Sequence, residues 1–148
     1  MMSSNDYVRL FRTRQIRYVE LLRLLLTQRQ CILDDDYPQL LTVLGMKQRL
    51  LEDLDELARE QPGLKDQWLR DRARLPSDQR AECEKLLALT EAVLAQLTEH
   101  EQVCGQELES RRELTRKQLQ AVATGSRAQT EYFDSLASES HRHLNIDQ

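Results

Sequence analysis

The chain is short of residues that interrupt helices. Among its 148 residues are three prolines and four glycines. The prolines are Pro38, Pro62 and Pro76, so beyond Pro76 only Gly105 and Gly125 weaken a helix. Aromatics are scarce too, at 5%, with a single tryptophan. With leucine and alanine abundant, this composition marks an all-α chain, a helical bundle or coiled coil. Long apolar runs are absent: nothing approaches the roughly 20 residues of a membrane span. The first residues, MMSSNDYVRLFRTRQIR, put arginines where a signal peptide has its apolar core. The expectation is a cytoplasmic protein with no stable membrane insertion.

Cysteines number three, Cys31, Cys83 and Cys104, with no close CxxC pairing. An odd set is a poor disulfide framework, and the three are expected to be small buried side chains. Charge of one sign is also missing. Lys and Arg total 21 against 25 Asp and Glu, for a net charge of -4, which argues against a nucleic-acid partner.

Catalytic patterns are missing as well. There is no Gly-rich phosphate loop, GxSxG elbow or HExxH pair, and none of His100, His141 and His143 has a glutamate three residues before it, as a di-iron bundle needs. His141 and His143 are two apart and face different sides of a helix, and His100 sits between Glu99 and Glu101. The reading is that the chain is not an enzyme and needs no cofactor or metal.

What is present is helical periodicity. Phe11, Tyr18, Leu22, Leu25 and Ile32 keep three-and-four spacing over a first helix from about Asn5 to Leu33, and Leu21, Leu26 and Leu33 widen its stripe. Arg9, Arg12, Arg14 and Arg17 spread around more than half its circumference and read as a solvated face. Asp34, Asp35 and Asp36 end this helix and begin the next. Carboxylates favour a helix N-terminus, so Asp36 is the expected cap, with Pro38 in the first turn and Gln39 placed for a capping box. A calcium loop would need alternating ligands, a glycine and a distal glutamate, which the triplet lacks.

Helix two carries Leu40, Leu44, Lys47, Leu51, Leu54 and Leu57 or Ala58 to about Gln61, and folds back antiparallel on helix one. Pro62 and Gly63 break the chain. A short helix within Leu64 to Leu75 brings Leu64, Trp68, Leu69 and Leu75 to close one end of the bundle. Helix three starts with Ser77 as its cap and runs to about Thr124, on the order of 70 Å against roughly 40 Å for each earlier helix. Residues 1–124 are thus read as a bundle and 125–148 as a flexible polar tail.

The excess length is the main functional signal. Early in helix three, Leu86, Leu87, Leu89, Val93, Leu94 and Leu97 suffice for packing. Beyond Thr98 the apolar positions thin to Cys104, Leu108, Thr115, Leu119 and Val122 on one face, with Val103 and Leu114 off it. A stripe with no companion in its own chain invites a partner helix. In the tail, Tyr132 and Phe133 are adjacent aromatics with Leu136 one turn on, either folding back on the bundle or serving as a recognition element. These seven residues, Cys104, Leu108, Thr115, Leu119, Val122, Tyr132 and Phe133, are the candidate partner-binding set.

From about Tyr18 to Tyr132 the chain resembles the FlgN-like flagellar export chaperones. The likeness rests on LLTQRQCIL, the acidic turn DDDYPQ, and LLTVLGMKQRLLEDLDELA, which is similar to the family's L-x3-L-x2-K-x2-LL-x2-L pattern at Leu40, Leu44, Lys47, Leu50, Leu51 and Leu54. Where family members often carry Asn-x-x-Asn-Gly, this chain has Glu101 to Gly105, keeping only the glycine. The resemblance implies a cytoplasmic chaperone that holds a disordered terminal segment of a hook-filament junction protein, a hook-associated protein, and delivers it to the export gate of the flagellar type III secretion system. Two other readings remain open. One is a structural homo-oligomer, such as a homodimer pairing the stripe with itself; the other is a regulatory bundle binding protein through the arginines of helix one.

Overall fold

A computed structural model describes residues 2–146 of the chain and shows an all-α helical bundle. Four helices follow one another: α1 (Ser4–Leu33), α2 (Tyr37–Glu60), α3 (Leu64–Asp71) and α4 (Ser77–Ile146), with a 3-10 turn at Arg72–Arg74 between the last two. The chain divides into two compact units, Met1–Glu107 and Leu108–Gln148.

Local chemistry sets the helix ends of the first unit. Ser3 caps α1: its hydroxyl accepts from the Asp6 N–H at 3.3 Å while its own N–H donates to the Asp6 carboxylate at 2.9 Å, a reciprocal capping box. The Ser3 N–H, with the Ser3 hydroxyl that also donates to the carboxylate at 2.9 Å, holds the Asp6 carboxyl below its ordinary range. At the other end, Asp35 takes the left-handed conformation, φ 54°, and the Asp36 N–H reaches back to the Cys31 carbonyl at 2.9 Å. This is a Schellman ending, with aspartate at a position that usually holds glycine. Asp36 then caps α2, accepting from the Gln39 N–H at 3.2 Å. The Asp36 N–H is already committed to Cys31, so only one half of the expected capping box forms. Pro76, rather than Ser77, is the cap of α4, because the Arg80 N–H bonds to the Pro76 carbonyl at 2.9 Å.

In the first unit α2 lies antiparallel to α1, and α4 runs alongside both. Two apolar clusters hold them. One joins Leu21, Leu25 and Ile32 of α1 to Leu40, Val43 and Leu50 of α2 and Leu97 and Cys104 of α4. The other joins Tyr7 and Phe11 to Trp68 of α3 and to Cys83 and Leu86 of α4. The ring of Trp68 meets Tyr7 and Phe11 edge-on, at centroid distances of 5.3 and 5.2 Å. The expected end-closing role of the tryptophan has this geometry, and Tyr7, which the periodicity of helix one did not include, is its buried partner.

Helix two is rotated from the expected stripe. Leu40, Val43 and Leu50 are buried, whereas Leu44 and Leu51 are exposed with Tyr37 and Leu41. Leucine doublets at 40–41 and 50–51 supply two apolar faces, and packing on α1 and α4 selects one of them. Lys47 lies beside the selected face. Its ammonium donates to the Gln28 side-chain oxygen at 3.3 Å and pairs with the Glu101 carboxylate. One cation thereby joins α1, α2 and α4, and Gln28, only 4% exposed, finds its partner.

The helix also runs on where the sequence expectation ended it. α4 passes through Gly105 and Gly125 to Ile146 rather than stopping near Thr124. A glycine costs a helix only about 1 kcal/mol, and alanine, glutamine and glutamate around Gly125 are good helix formers. Gln148 and residue 147 lie outside the described residues, and no side chain after Leu136 is described.

Two outcomes follow. Lys47→Ala leaves Gln28 buried without its donor, and should lower the denaturant-derived stability by about 1–3 kcal/mol. Tyr7 donates to the Asp71 carboxylate at 2.6 Å, and burial, reinforced by that bond, pushes its phenol up to about 12. A folded-state value above the unfolded one means stability present below pH 10 and lost as pH rises from 10 toward 12. Tyr7→Phe should therefore show a flatter stability profile in that window, and the late-titrating tyrosine should vanish from the ultraviolet titration.

Candidate protein-docking surface

The second unit is helical over residues 108–146, and none of residues 108–136 is buried. Leu108, Thr115, Val122 and Leu136 fall in a seven-residue series, and Leu119 and Phe133 lie within the same strip, roughly 100° wide at 100° per residue. Leu108 is 40% exposed, Leu119 65% and Val122 70%, so the strip has apolar side chains in solvent over several turns. Tyr132 and Phe133 are 63% and 65% exposed and rest edge-on against each other with ring centroids 6.0 Å apart. Tyr132 and Leu114 stand off the strip on one side.

Of the seven candidate residues, six share this exposed helix and one does not. Cys104 is 1% exposed and belongs to the core cluster with Leu97, Ile32 and Val43. It is therefore corrected from docking residue to core residue. Small enough to sit where α4 meets α1 and α2, it serves the buried role expected of all three cysteines, which are free and buried. Burial raises the thiol pKa of Cys104, and of Cys83 likewise, so neither is activated as a thiolate.

Charges along the strip are largely satisfied within the helix. Arg116 forks onto Glu113, with its Nε at 3.1 Å from one carboxylate oxygen, and Arg112 lies 3.9 Å from Glu109. The Glu113 bond with Arg116 holds that carboxyl below its usual range. Such i,i+3 pairs are worth a few tenths of a kcal/mol and leave the apolar face uncovered.

The four arginines in the first half of α1 divide between two roles. Arg9, Arg12 and Arg17 pair with Asp6, Glu82 and Glu20 at 3.4, 3.3 and 3.5 Å, whereas Arg14 lines cavities beside α3. Sequence reasoning took the apolar residues that line those cavities as closed packing and missed the outward face of α2. The doubled leucines were the available signal. Among the described residues no group of three or more His, Cys, Asp or Glu could hold a metal, and no helix is long and apolar enough to cross a membrane.

The different burial of strip and core gives a direct test. Leu119→Asp should change stability by less than about 0.5 kcal/mol, while Cys104→Asp, which buries a carboxylate without a partner, should cost more than about 3 kcal/mol or prevent folding. Urea unfolding of the two variants measures the contrast. No family model, no curated protein and no solved structure matches the chain.

Proposed function

We propose that this protein is an export chaperone, of the kind the FlgN-like resemblance implies, which holds an amphipathic terminal segment of a hook-filament junction protein on the exposed strip of α4. The observation that carries the reading is the strip itself: Leu108, Leu119 and Val122 keep helical phase while 40 to 70% exposed. An isolated surface leucine is ordinary, but an aligned series over several turns is the half of a helix-in-groove or helix-on-helix contact. The motif in helix two adds support from the other unit, with Leu40, Leu50 and Leu54 in or against the core and Lys47 joined to its neighbours.

The mechanism is the completion of two incomplete apolar faces. A junction-protein terminus that is disordered before assembly would expose its own apolar side chains, and pairing with Leu108, Thr115, Leu119 and Val122 covers both. Ordering the segment consumes part of the interaction free energy, so affinity stays moderate and release remains accessible. Tyr132 and Phe133 are assigned to the handover contact at the export gate.

Binding is testable without touching the fold. Leu108→Glu, Leu119→Glu and Val122→Glu should each weaken capture of a purified junction-protein terminus at least about tenfold, with far-ultraviolet circular dichroism and thermal midpoint essentially unchanged. Capture that survives all three substitutions rejects the proposed function.

A further inference from the structure

Beyond Thr115 the exposed strip of α4 changes character. From Leu119 it runs through Val122, Ser126, Gln129 and Phe133 to Leu136, two apolar residues, two polar and two apolar again, at alternating steps of three and four. All six are exposed, Phe133 at 65% and Leu136 at 41%. At 100° per residue they span about 100° of the helix, and the charged residues of this stretch, Arg127, Glu131 and Asp134, lie more than about 100° from its middle. The face therefore carries no charge.

In chemical kind its residues read the same from either end, so the face is complementary to itself reversed. Laid antiparallel, two copies bring Leu119 opposite Leu136, Val122 opposite Phe133 and Ser126 opposite Gln129, each twice. Apolar meets apolar in four layers, and the two central layers set a hydroxyl against an amide, partners in hydrogen bonding. A slide of seven residues in either direction puts each of the four apolar residues opposite a polar one, so the polar centre fixes the register.

Burial and charge exclude the other matching arrangements. A slide of fourteen that sets Leu108 opposite Phe133 would carry residues 134–146 past Leu108, onto the line of α4 that α1 and α2 already bury at Cys104. With Leu119 opposite Leu136, the last helical residue, Ile146, falls opposite Glu109, and the overlap stays within the second unit. A parallel pair matches the same six layers, but upstream it puts Arg112 opposite Arg112 and Arg111 beside Arg116 of the other copy.

The antiparallel pairing also accounts for Gly125. A Cβ there would meet nothing of its own chain within 4 Å, so no internal contact calls for a glycine in mid-helix, where it weakens the helix. In the pair, Gly125 and Tyr132 of the other copy flank the seam on one side, and the bare backbone leaves room for the ring.

We propose that two copies of this chain pair antiparallel through the Leu119 to Leu136 face of α4, about a twofold axis that passes between Arg127 and Ala128. Six layers bury on the order of 1,000 Å², the low end for specific association, so the dimer is weak. Pairing covers Leu119 and Val122, and a chain cannot pair and hold a terminus there at once. The dimer itself does not rest on the chaperone reading.

Sedimentation of the full chain across the micromolar range tests the pairing, and spin labels test its direction. A concentration-dependent dimer is expected. Phe133→Glu and Leu136→Glu, both at exposed positions, should each raise its dissociation constant at least about tenfold. Labels are carried by Arg127→Cys or by Gln120→Cys, on the outer side of the helix, while the native cysteines are buried. The antiparallel register offsets the two Arg127 sites by about 2 Å along the axis and the two Gln120 sites by about 22 Å, so the dipolar distance should be longer at Gln120. A monomer at every concentration, a dimer indifferent to both glutamates, or equal distances at the two positions, as a parallel pair gives, overturns the proposal. Leu108→Glu lies outside the six layers and should leave the dimer intact; a dimer dissolved by that substitution is joined elsewhere, and the proposal falls, whereas the chaperone reading is judged separately by capture of the terminus.

Discussion

A single ammonium group holds the first unit in register. Leucine seams between helices tolerate sliding, because one apolar side chain replaces another at nearly equal free energy, but a partly buried charge has few acceptable positions. Lys47 reaches Gln28 on α1 and Glu101 on α4, and its side chain is only 15% exposed. Shifting α2 by one turn in either direction would strand this cation and the buried amide of Gln28 together. The placement of Leu51 beside Leu94, Leu97 and Leu21 around one cavity follows from that registration.

A second polar anchor works at the other end. The Tyr7 phenol, fully buried, holds the Asp71 carboxylate, and Arg74 pairs with the same carboxylate at 3.0 Å. The carboxyl is thereby held below its ordinary range, chiefly by the Tyr7 bond. α3 has only eight residues, too few to persist alone, and its place depends on this bond and on Trp68. Lys65 and Arg72, which line the cavity beside it, sit on or just after that short helix. A small helix pinned largely by one hydrogen bond and one indole therefore places two of the three cations at that cavity.

Punctuation was the most legible part of the sequence. Asp36, Pro38, Pro62, Gly63 and Pro76 act through local backbone chemistry that no distant contact overrides, and the helices begin and end beside them. Rotation about a helix axis was less legible. At 40–41 and 50–51 both leucines of each doublet satisfy a three-and-four pattern, so the buried face of α2 is chosen by neighbours that periodicity does not see. Cys104 illustrates the same limit: it continues the phase of Leu108, yet three packed helices enclose the one and leave the other in solvent. The exposed strip, by contrast, could be read directly, since exposure follows from how sparse its apolar residues are. The basic lining of the cavity beside α3 could not, because Arg14, Lys65 and Arg72 come together only when α1 and α3 do.

The absence of any buried residue from 108 to 136 bears on how this segment stays ordered. A helix of that kind draws nothing from a core and rests on intrinsic propensity and neighbouring side-chain pairs. Its nucleation, the expensive step for an isolated helix, is already accomplished by the packed residues upstream, so each further turn needs only propagation. Order then declines along the chain rather than ending at a boundary. Amide hydrogen exchange would register this as a gradient, slow through Leu97 and Cys104 and faster at each turn toward Phe133, so that a bound partner would be visible as a step of protection at the turns it covers.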